Sequence, residues 1–161
     1  MDVRVQSEDF DVGVEYQRLR RECPEAGAIV SFVGLVRELL GESSQRSSEF
    51  DRVIHLELEH YADMTEPLIQ DVLERARQRF DISVARVIHR VGVLSAGDQI
   101  VLVVVAGAHR ESCFLAAQFV MDYLKSTATI WKKEVTGKSA KWLGLKQSDS
   151  DAAKRWTSDE A

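Results

Sequence analysis

Residues 98–106, Asp-Gln-Ile-Val-Leu-Val-Val-Val-Ala, are apolar and β-branched almost without a break. The run is far shorter than the roughly 20 residues that cross a bilayer, and its lack of alternation leaves no face for water. It reads as a strand covered on both sides, of the kind found inside a sheet with layers above and below it. Residues 27–36, AGAIVSFVGL, have the same character, and both runs are expected to be central strands. Residues 53–61, VIHLELEHY, behave differently. Ile54, Leu56 and Leu58 alternate with His55, Glu57 and Glu59, so this strand is expected to be half buried, with His60 turned away from the three polar side chains.

The rest of the chain falls around these strands. Residues 82–94 supply one more strand or two short ones. Thr65 is placed to cap a helix that carries Pro67 in its first turn, runs to about Arg79 and buries Leu68, Val72, Leu73 and Ala76. A second helix is expected over 111–126. The segment between Arg37 and Arg52 is rich in Ser and Glu and reads as a mobile loop over 37–52. The polar tail over 147–161 is expected to fray, apart from a short helix near Ala152–Trp156. Strands and helices follow each other without strict βαβ alternation and without an internal repeat. The expected fold class is therefore α+β, a mixed or antiparallel sheet with packed helices. At 161 residues and 45% hydrophobic, the chain can bury a core of its own as one domain over 1–161.

Charge narrows the function. Lys+Arg number 21 against 26 Asp+Glu, a net charge of -5, which gives no support to general nucleic-acid binding. An acidic protein that handles an anion must gather its cations locally. Cys23 and Cys113 stand far apart with no CxxC spacing, which argues against a zinc site and a disulfide scaffold. The first twenty residues lack an unbroken apolar stretch, and no segment has the length of a membrane span. A soluble, unexported protein of the cytoplasm is expected.

The chemistry concentrates between Val101 and Glu134. The buried strand ends in Ala106-Gly107-Ala108-His109-Arg110 and passes directly into a helix, whose first-turn N–H groups lack intrahelical acceptors. His109 and Arg110 then either flank an anion pocket or simply close a strand and solvate a helix start. Cys113, Phe114, Ala117, Val120, Met121 and Leu124 form the apolar stripe of that helix. Lys125 falls roughly 20° from Phe114 on the helical wheel, at the edge of the same stripe. It either serves the helix dipole or, partly desolvated, has the lowered basicity that a catalytic lysine needs. In Trp131-Lys132-Lys133-Glu134, strand alternation sends Lys132 and Glu134 to one side and Trp131 and Lys133 to the other. Two lysines and the His109–Arg110 pair are expected to converge on one anionic substrate.

Other constellations carry less. Cys113 lies in the apolar stripe and reads as packing. His55, Glu57, Glu59 and His60 do not make a metal cluster, because alternation sets His60 opposite the rest. There is no nucleophilic-serine elbow and no carboxylate pair for glycoside chemistry. Lysine is the remaining strong catalytic residue type.

The segments FVGLVR (32–37), LELEHYADMTE (56–66), VIHRVGVLSAGDQIVLVVVAGAHR (87–110), FVMDYLKSTATIWKKE (119–134) and SDSDAAKRW (148–156) resemble, in order and spacing, the large, catalytic subunit of molybdopterin synthase. The resemblance implies an α/β hammerhead-type fold and a homodimer that forms a heterotetramer with two small subunits. Each small subunit is a ubiquitin-like sulfur carrier whose C-terminal Gly-Gly tail, as a thiocarboxylate, threads into a pocket beside cyclic pyranopterin monophosphate (precursor Z). Two sulfur transfers then build the dithiolene of molybdopterin. Lys125 and Lys132 would be the catalytic lysines. Leu35, Val36, Arg37, His109, Arg110, Lys133 and Glu134 would line the pocket, and the dimer's pockets would borrow residues across the interface, Lys146 first and His109 and Arg110 as alternatives. Leu35 stands where some members carry a basic residue, and Lys146 where some carry an arginine, which keeps the charge but loses the bidentate fork. The 37–52 loop is longer than in shorter members. The chemistry calls for no metal or redox cofactor. A non-catalytic module that binds a ubiquitin-like protein would keep the docking surface, but would not need Lys125 on a buried face.

Overall fold

The computed structural model describes residues 1–37, 53–127, 129–136, 139–144 and 147–157, so most of the expected 37–52 loop, and Lys146, lie outside the described residues. In chain order the elements are β1 (Asp2–Gln6), α1 (Val12–Glu22), β2 (Ala28–Leu35), β3 (Val53–His60), α2 (Ala62–Arg79), β4 (Val84–Arg90), β5 (Gly92–Ser95), β6 (Gln99–Gly107), α3 (Arg110–Thr127), β7 (Ile130–Thr136), β8 (Ala140–Leu143) and α4 (Gln147–Lys154). They build two four-stranded sheets, one ordered β1-β4-β6-β2 and the other β5-β3-β7-β8. Among the described residues β1 and β4 pair in parallel, and every other strand pairing is antiparallel. The fold is α+β, as the sequence predicts.

The apolar run at β6 has a direct cause. β6 lies between β4 and β2, and both its faces are covered. Val101, Val103 and Val105 pack with Ile69, Leu73 and Ala76 of α2 and with Ala116, Phe119 and Val120 of α3. Leu102, Val104 and Ala106 pack on the other side with Phe10, Leu19 and Cys23. The second run is a correction. β2 is an edge strand rather than a central one, and Phe32 and Leu35 are 40% and 52% exposed. Ala28 and Val30 pack on one core cluster and Ile29 and Val33 on the other, so burial among the described residues leaves only Phe32 and Leu35 unaccounted for.

The 82–94 segment is two strands in different sheets. The chain crosses between the sheets at Val91–Gly92, where Gly92 has a φ of 90°, a left-handed conformation that glycine adopts without strain. α2 begins earlier than predicted, with Tyr61 as an N-cap that makes no side-chain capping bond. Thr65 is fully buried inside the helix. Its hydroxyl donates to the Tyr61 carbonyl at 2.9 Å and lies 2.7 Å from the Thr129 hydroxyl, and Pro67 sits beyond the first turn. The competing partner is 64 residues away, beyond the reach of a local capping rule.

Sequence periodicity did not register β1, α1 or β8. α1 is capped by Asp11, which accepts from the Val14 N–H at 2.9 Å, and is held by charge. Arg86 of β4, 3% exposed, donates to Glu15 at 2.9 Å and to Glu22 at 3.0 Å, with Asp2 at 2.7 Å completing the cluster. The tail is more ordered than its composition suggests. α4 starts at Gln147, and Trp156 beyond it packs edge-on against Phe80 and Phe119 while its Nε1 donates to Asp122 at 2.8 Å. No helix among the described residues is long and apolar enough to cross a membrane.

Candidate active site

The turn from β6 into α3 brings His109 and Arg110 to the surface at the helix N-terminus, both exposed. Their neighbour Ala108 presses against Gly27. A Cβ on Gly27 would stand 2.4 Å from the Ala108 carbonyl oxygen, so only glycine lets the entry to β2 lie against this turn. The Cys113 N–H donates to the His109 carbonyl at 3.3 Å, which makes His109 the residue from which the helix starts. This matches the predicted strand-to-helix geometry.

Lys125 departs from expectation. The buried stripe of α3 is Cys113, Ala116, Ala117, Phe119, Val120, Tyr123 and Leu124, whereas Phe114 is 62% exposed. The helical-wheel kinship of Lys125 with Phe114 holds, but it puts both on an exposed strip. Lys125 is therefore not desolvated within a single chain.

The alternation predicted for β7 is observed. Lys132 lies across from Leu58 and Glu134 across from Leu56, so both share the inward face with two buried leucines. Lys133 lies across from Glu57 and Trp131 across from Glu59, on the outward face. There Lys133 Nζ donates to Glu57 at 2.7 Å and stands 5.7 Å from the Trp142 ring. The Lys133 hydrogen bond, followed by one from His55, holds the Glu57 carboxyl below its ordinary value. Lys133 is committed to this ion pair, while Lys132 turns the other way. Among the described residues no group of three or more His, Cys, Asp and Glu is arranged to hold a metal ion.

Leu35, Val36 and Arg37 close β2. The Val36 N–H donates to the Asp98 carbonyl at 2.8 Å, and its side chain packs with Leu56, Leu58 and Leu94, while Leu35 and Arg37 are exposed.

These positions fall into two groups. β2 is antiparallel to β6, so Leu35 lies across from Gln99 at the start of β6, whereas His109 and Arg110 follow its end. Nine residues of strand separate the ends by about 30 Å at roughly 3.3 Å per residue. α3 then packs back along the sheet, and Lys125 lies about 22 Å along its axis from Arg110. Lys132 also belongs to the first end, because its positive charge acts on His89, which lies across from Val101. The expected convergence of the lysines with His109 and Arg110 does not occur within one chain. The physical reason is the antiparallel register, which no local spacing encodes.

Sequence pattern gives His89 no role and sets His60 aside as a strand residue that binds no metal. His89 of β4 is 7% exposed, and desolvation by burial pushes its imidazole down to about 4. His60 Nδ1 is buried without a hydrogen-bond partner among the described residues. A histidine inside an apolar strand, as in Val-Ile-His-Arg, is the available signal for His89.

Two four-stranded sheets, with His109 and Arg110 exposed beyond one end of β6 and Arg37 exposed beside the other, define an α+β protein of net charge -5. The family model described as MoaE protein matches residues 5–127. The chain is 46% identical over 155 residues to the molybdopterin synthase catalytic subunit of Vibrio cholerae, an alignment that covers 96% of this chain and 97% of that one. Its fold matches the molybdopterin biosynthesis MoaE protein from Burkholderia ambifaria with a TM-score of 0.79 and 38% identity, over 98% and 99% of the two chains. A complex of subunits 1 and 2 of molybdopterin-converting factor from Helicobacter pylori shares the fold at a TM-score of 0.68 and 18% identity, covering 87% of this chain and 88% of that one. The chain belongs to the MoaE family, whose members are enzymes of molybdopterin synthesis.

Proposed function

We propose that this chain is the catalytic subunit of a molybdopterin synthase. It takes sulfur from the thiocarboxylated Gly-Gly tail of a ubiquitin-like small subunit and places it on cyclic pyranopterin monophosphate, with Lys125 and Lys132 as the catalytic lysines. The thiocarboxylate already carries activated sulfur, so the protein has to orient two reactants, offset developing charge and move protons, all within the reach of lysine and arginine. Each transfer forms a carbon–sulfur bond to the precursor, and water then breaks the carrier's carbonyl–sulfur bond and leaves the carrier as a carboxylate. Arg37, His109, Arg110 and Lys146 hold the phosphorylated substrate, Leu35, Val36 and Glu134 shape the pocket, and Lys133 stabilises its wall through Glu57. The working particle is a homodimer with two small subunits, active in the cytoplasm.

The observation that carries this reading is the division of the site. His109 and Arg110 stand at one end of β6, and Lys125, Lys132 and Arg37 belong with the other, so a single pocket that uses both sets needs a second copy of the chain. A two-fold dimer brings the rim of one copy to the opposite rim of the other, and does so twice. The exposed apolar edge at β2, with Phe32 and Leu35, and Phe114 beside the rim are consistent with such an interface.

The test supplies thiocarboxylated carrier and precursor and measures dithiolene product. Lys125→Ala and Arg110→Ala proteins, each impaired alone, are then mixed and allowed to exchange subunits. Half of the dimers become mixed, and each mixed dimer holds one intact pocket, so about a quarter of the wild-type activity returns. No recovery after exchange has been verified by mass spectrometry contradicts the composite pocket. Carrier that binds without product from the wild-type protein supports a non-catalytic binding module instead.

A further inference from the structure

Between the two proposed lysines the chain changes sheets. Lys125 lies in the last turn of α3, which packs on β6 of the first sheet, and Lys132 lies in β7 of the second. The chain leaves α3 at Thr127 and enters β7 at Ile130, so the geometry between the lysines depends on how this short joint is held. Its last residue, Thr129, is held by the start of α2. The β3–β7 ladder ends with His60 across from Ile130, and one step further the Tyr61 N–H donates to the Thr129 carbonyl at 3.4 Å. Thr65, fully buried, sets its Oγ1 2.7 Å from the Thr129 hydroxyl, 2.9 Å from the Tyr61 carbonyl oxygen and 3.3 Å from the Thr129 carbonyl oxygen. A hydroxyl has one proton to give. With the Thr65 proton on the nearer carbonyl, that of Tyr61, the Thr129 hydroxyl donates to Thr65. Tyr61, Thr65 and Thr129 then close a ring of hydrogen bonds around the end of the joint.

We propose that Thr65 is a positioning residue for the Lys125–Lys132 pair: its hydroxyl pins Thr129 to the start of α2 and thereby fixes the spacing of the two lysines across the α3–β7 joint. This rests on the sulfur-transfer reading, in which both lysines meet the substrate. The ladder with β3 holds β7, and the core holds α3 through Phe119 and Val120 against Ile69 and Leu73 of α2. The pin ties one to the other through α2. An apolar side chain at position 65 would bury more surface, but it would give the joint no preferred place, whereas a hydrogen bond is directional.

Thr65→Val removes the hydroxyl at nearly constant shape, and Thr65→Ser keeps it. Both are assayed with thiocarboxylated carrier and precursor at a temperature where circular dichroism shows them folded. Thr65→Val is expected to lower kcat about tenfold or more, since misplacing a reacting group by about 1 Å can cost roughly a hundredfold. KM for the precursor should stay within about twofold, because Arg37, His109 and Arg110, assigned to the phosphate, lie outside the joint. Thr65→Ser is expected to keep kcat close to the wild-type value. Thr129→Val cuts the same pin from the other side, so it should lower kcat as well, and the double variant should lose no more than the worse single one. Thr129 is only half-buried, so this variant carries the test if Thr65→Val does not fold. Wild-type kcat in the folded valine variants, or losses that multiply in the double variant, overturns the proposal. A hydroxyl that only supports the fold would lower Tm and leave kcat per folded molecule unchanged. A second measurement does not depend on turnover. In protein whose lysines carry carbon-13 methyl groups, the Lys125 or Lys132 signal should shift in Thr65→Val while that of Lys154 stays. If neither lysine signal moves, the proposal is overturned. If the wild-type protein makes no dithiolene, the sulfur-transfer reading fails, and the lysine signals decide the Thr65 pin by themselves.

Discussion

The two sheets are built to different rules. In β1-β4-β6-β2 the middle strands are apolar on both faces, two helical layers cover them, and the buried Arg86 is held by three carboxylates, the buried Glu15 among them. In β5-β3-β7-β8 the buried set is thin, Leu56, Leu58 and Leu94 with Val36, and the outward face carries Glu57, Lys133 and two half-exposed tryptophans. Packing dictates side chains in the first sheet and leaves them open in the second. A lysine needed for chemistry costs little stability where the core is shallow. The first sheet therefore holds the fold, and the second, with the rims of α3, carries the residues proposed for the chemistry.

The sharpest way to break that division is to find activity and stability moving together. Lys125→Ala is expected to cut sulfur transfer by about 10²–10⁴, the usual worth of general acid–base help, while Tm stays near the wild-type value because the side chain is exposed. Near-normal turnover of the dithiolene product would remove Lys125 from the mechanism. Arg86→Ala should do the opposite. It deprives Glu15 of its buried partner and should cost about 3 kcal/mol in urea unfolding, with Arg4, 2.5 Å from Glu15, limiting the loss. Turnover per folded molecule should stay within about twofold. A large loss of turnover at full stability would place Arg86 in the chemistry and blur the contrast.

Acidification probes the seam between the sheets. His89 is held neutral down to about 4, against 6.5 for an ordinary histidine. Between those values the unfolded chain binds a proton that the folded chain refuses, so stability falls as pH drops through 6.5 and the loss levels off below about 4. From pH 7 to pH 5 this one group should remove about 2 kcal/mol, and His89→Asn should be less sensitive over that interval by the same amount. Equal pH slopes for the two proteins in denaturant titrations would contradict the buried neutral imidazole. The smallest effect is expected at Lys133→Met. Its pair with Glu57 is partly exposed and should be worth no more than about 1 kcal/mol, and activity should fall less than in Lys132→Met. If Lys133→Met proved the more damaging, the outward face would be the reactive one.

Legibility followed the range of the interactions. β6 and the alternation of β3 could be read because burial on two faces or one imprints a period on neighbouring residues. The turn at Gly107–Arg110 could be read because a strand passing straight into a helix is a local event. β2 was placed wrongly because apolar residues look the same whether a strand of the same chain or another surface covers them. Thr65 was read as a cap because its true partner, Thr129, is distant in sequence. The strip that carries Phe114 and Lys125 was assigned to the core because a wheel gives angles between side chains but not which angle faces the sheet. The proposed site residues rest on the family resemblance. Their division between two ends of one subunit follows from register and length.

The order of strands also dictates how the protein must be born. β1 pairs with β4, β2 with β6, and β3 with β5 and β7, so among the described residues no two strands encoded before Val84 pair with each other. A ribosome therefore releases β1, β2 and β3 as unpaired segments, the second of them rich in Ile, Val and Phe, and only helices can form locally until β4 emerges. The piece that completes the first sheet is β6, whose arrival lets β4 and β2 close onto it from either side, while the second sheet waits for β7. A nascent chain stalled just before Gln99 presents unpaired, aggregation-prone strand edges. Emergence of the segment from Gln99 to Gly107 turns that exposed chain into a sheet.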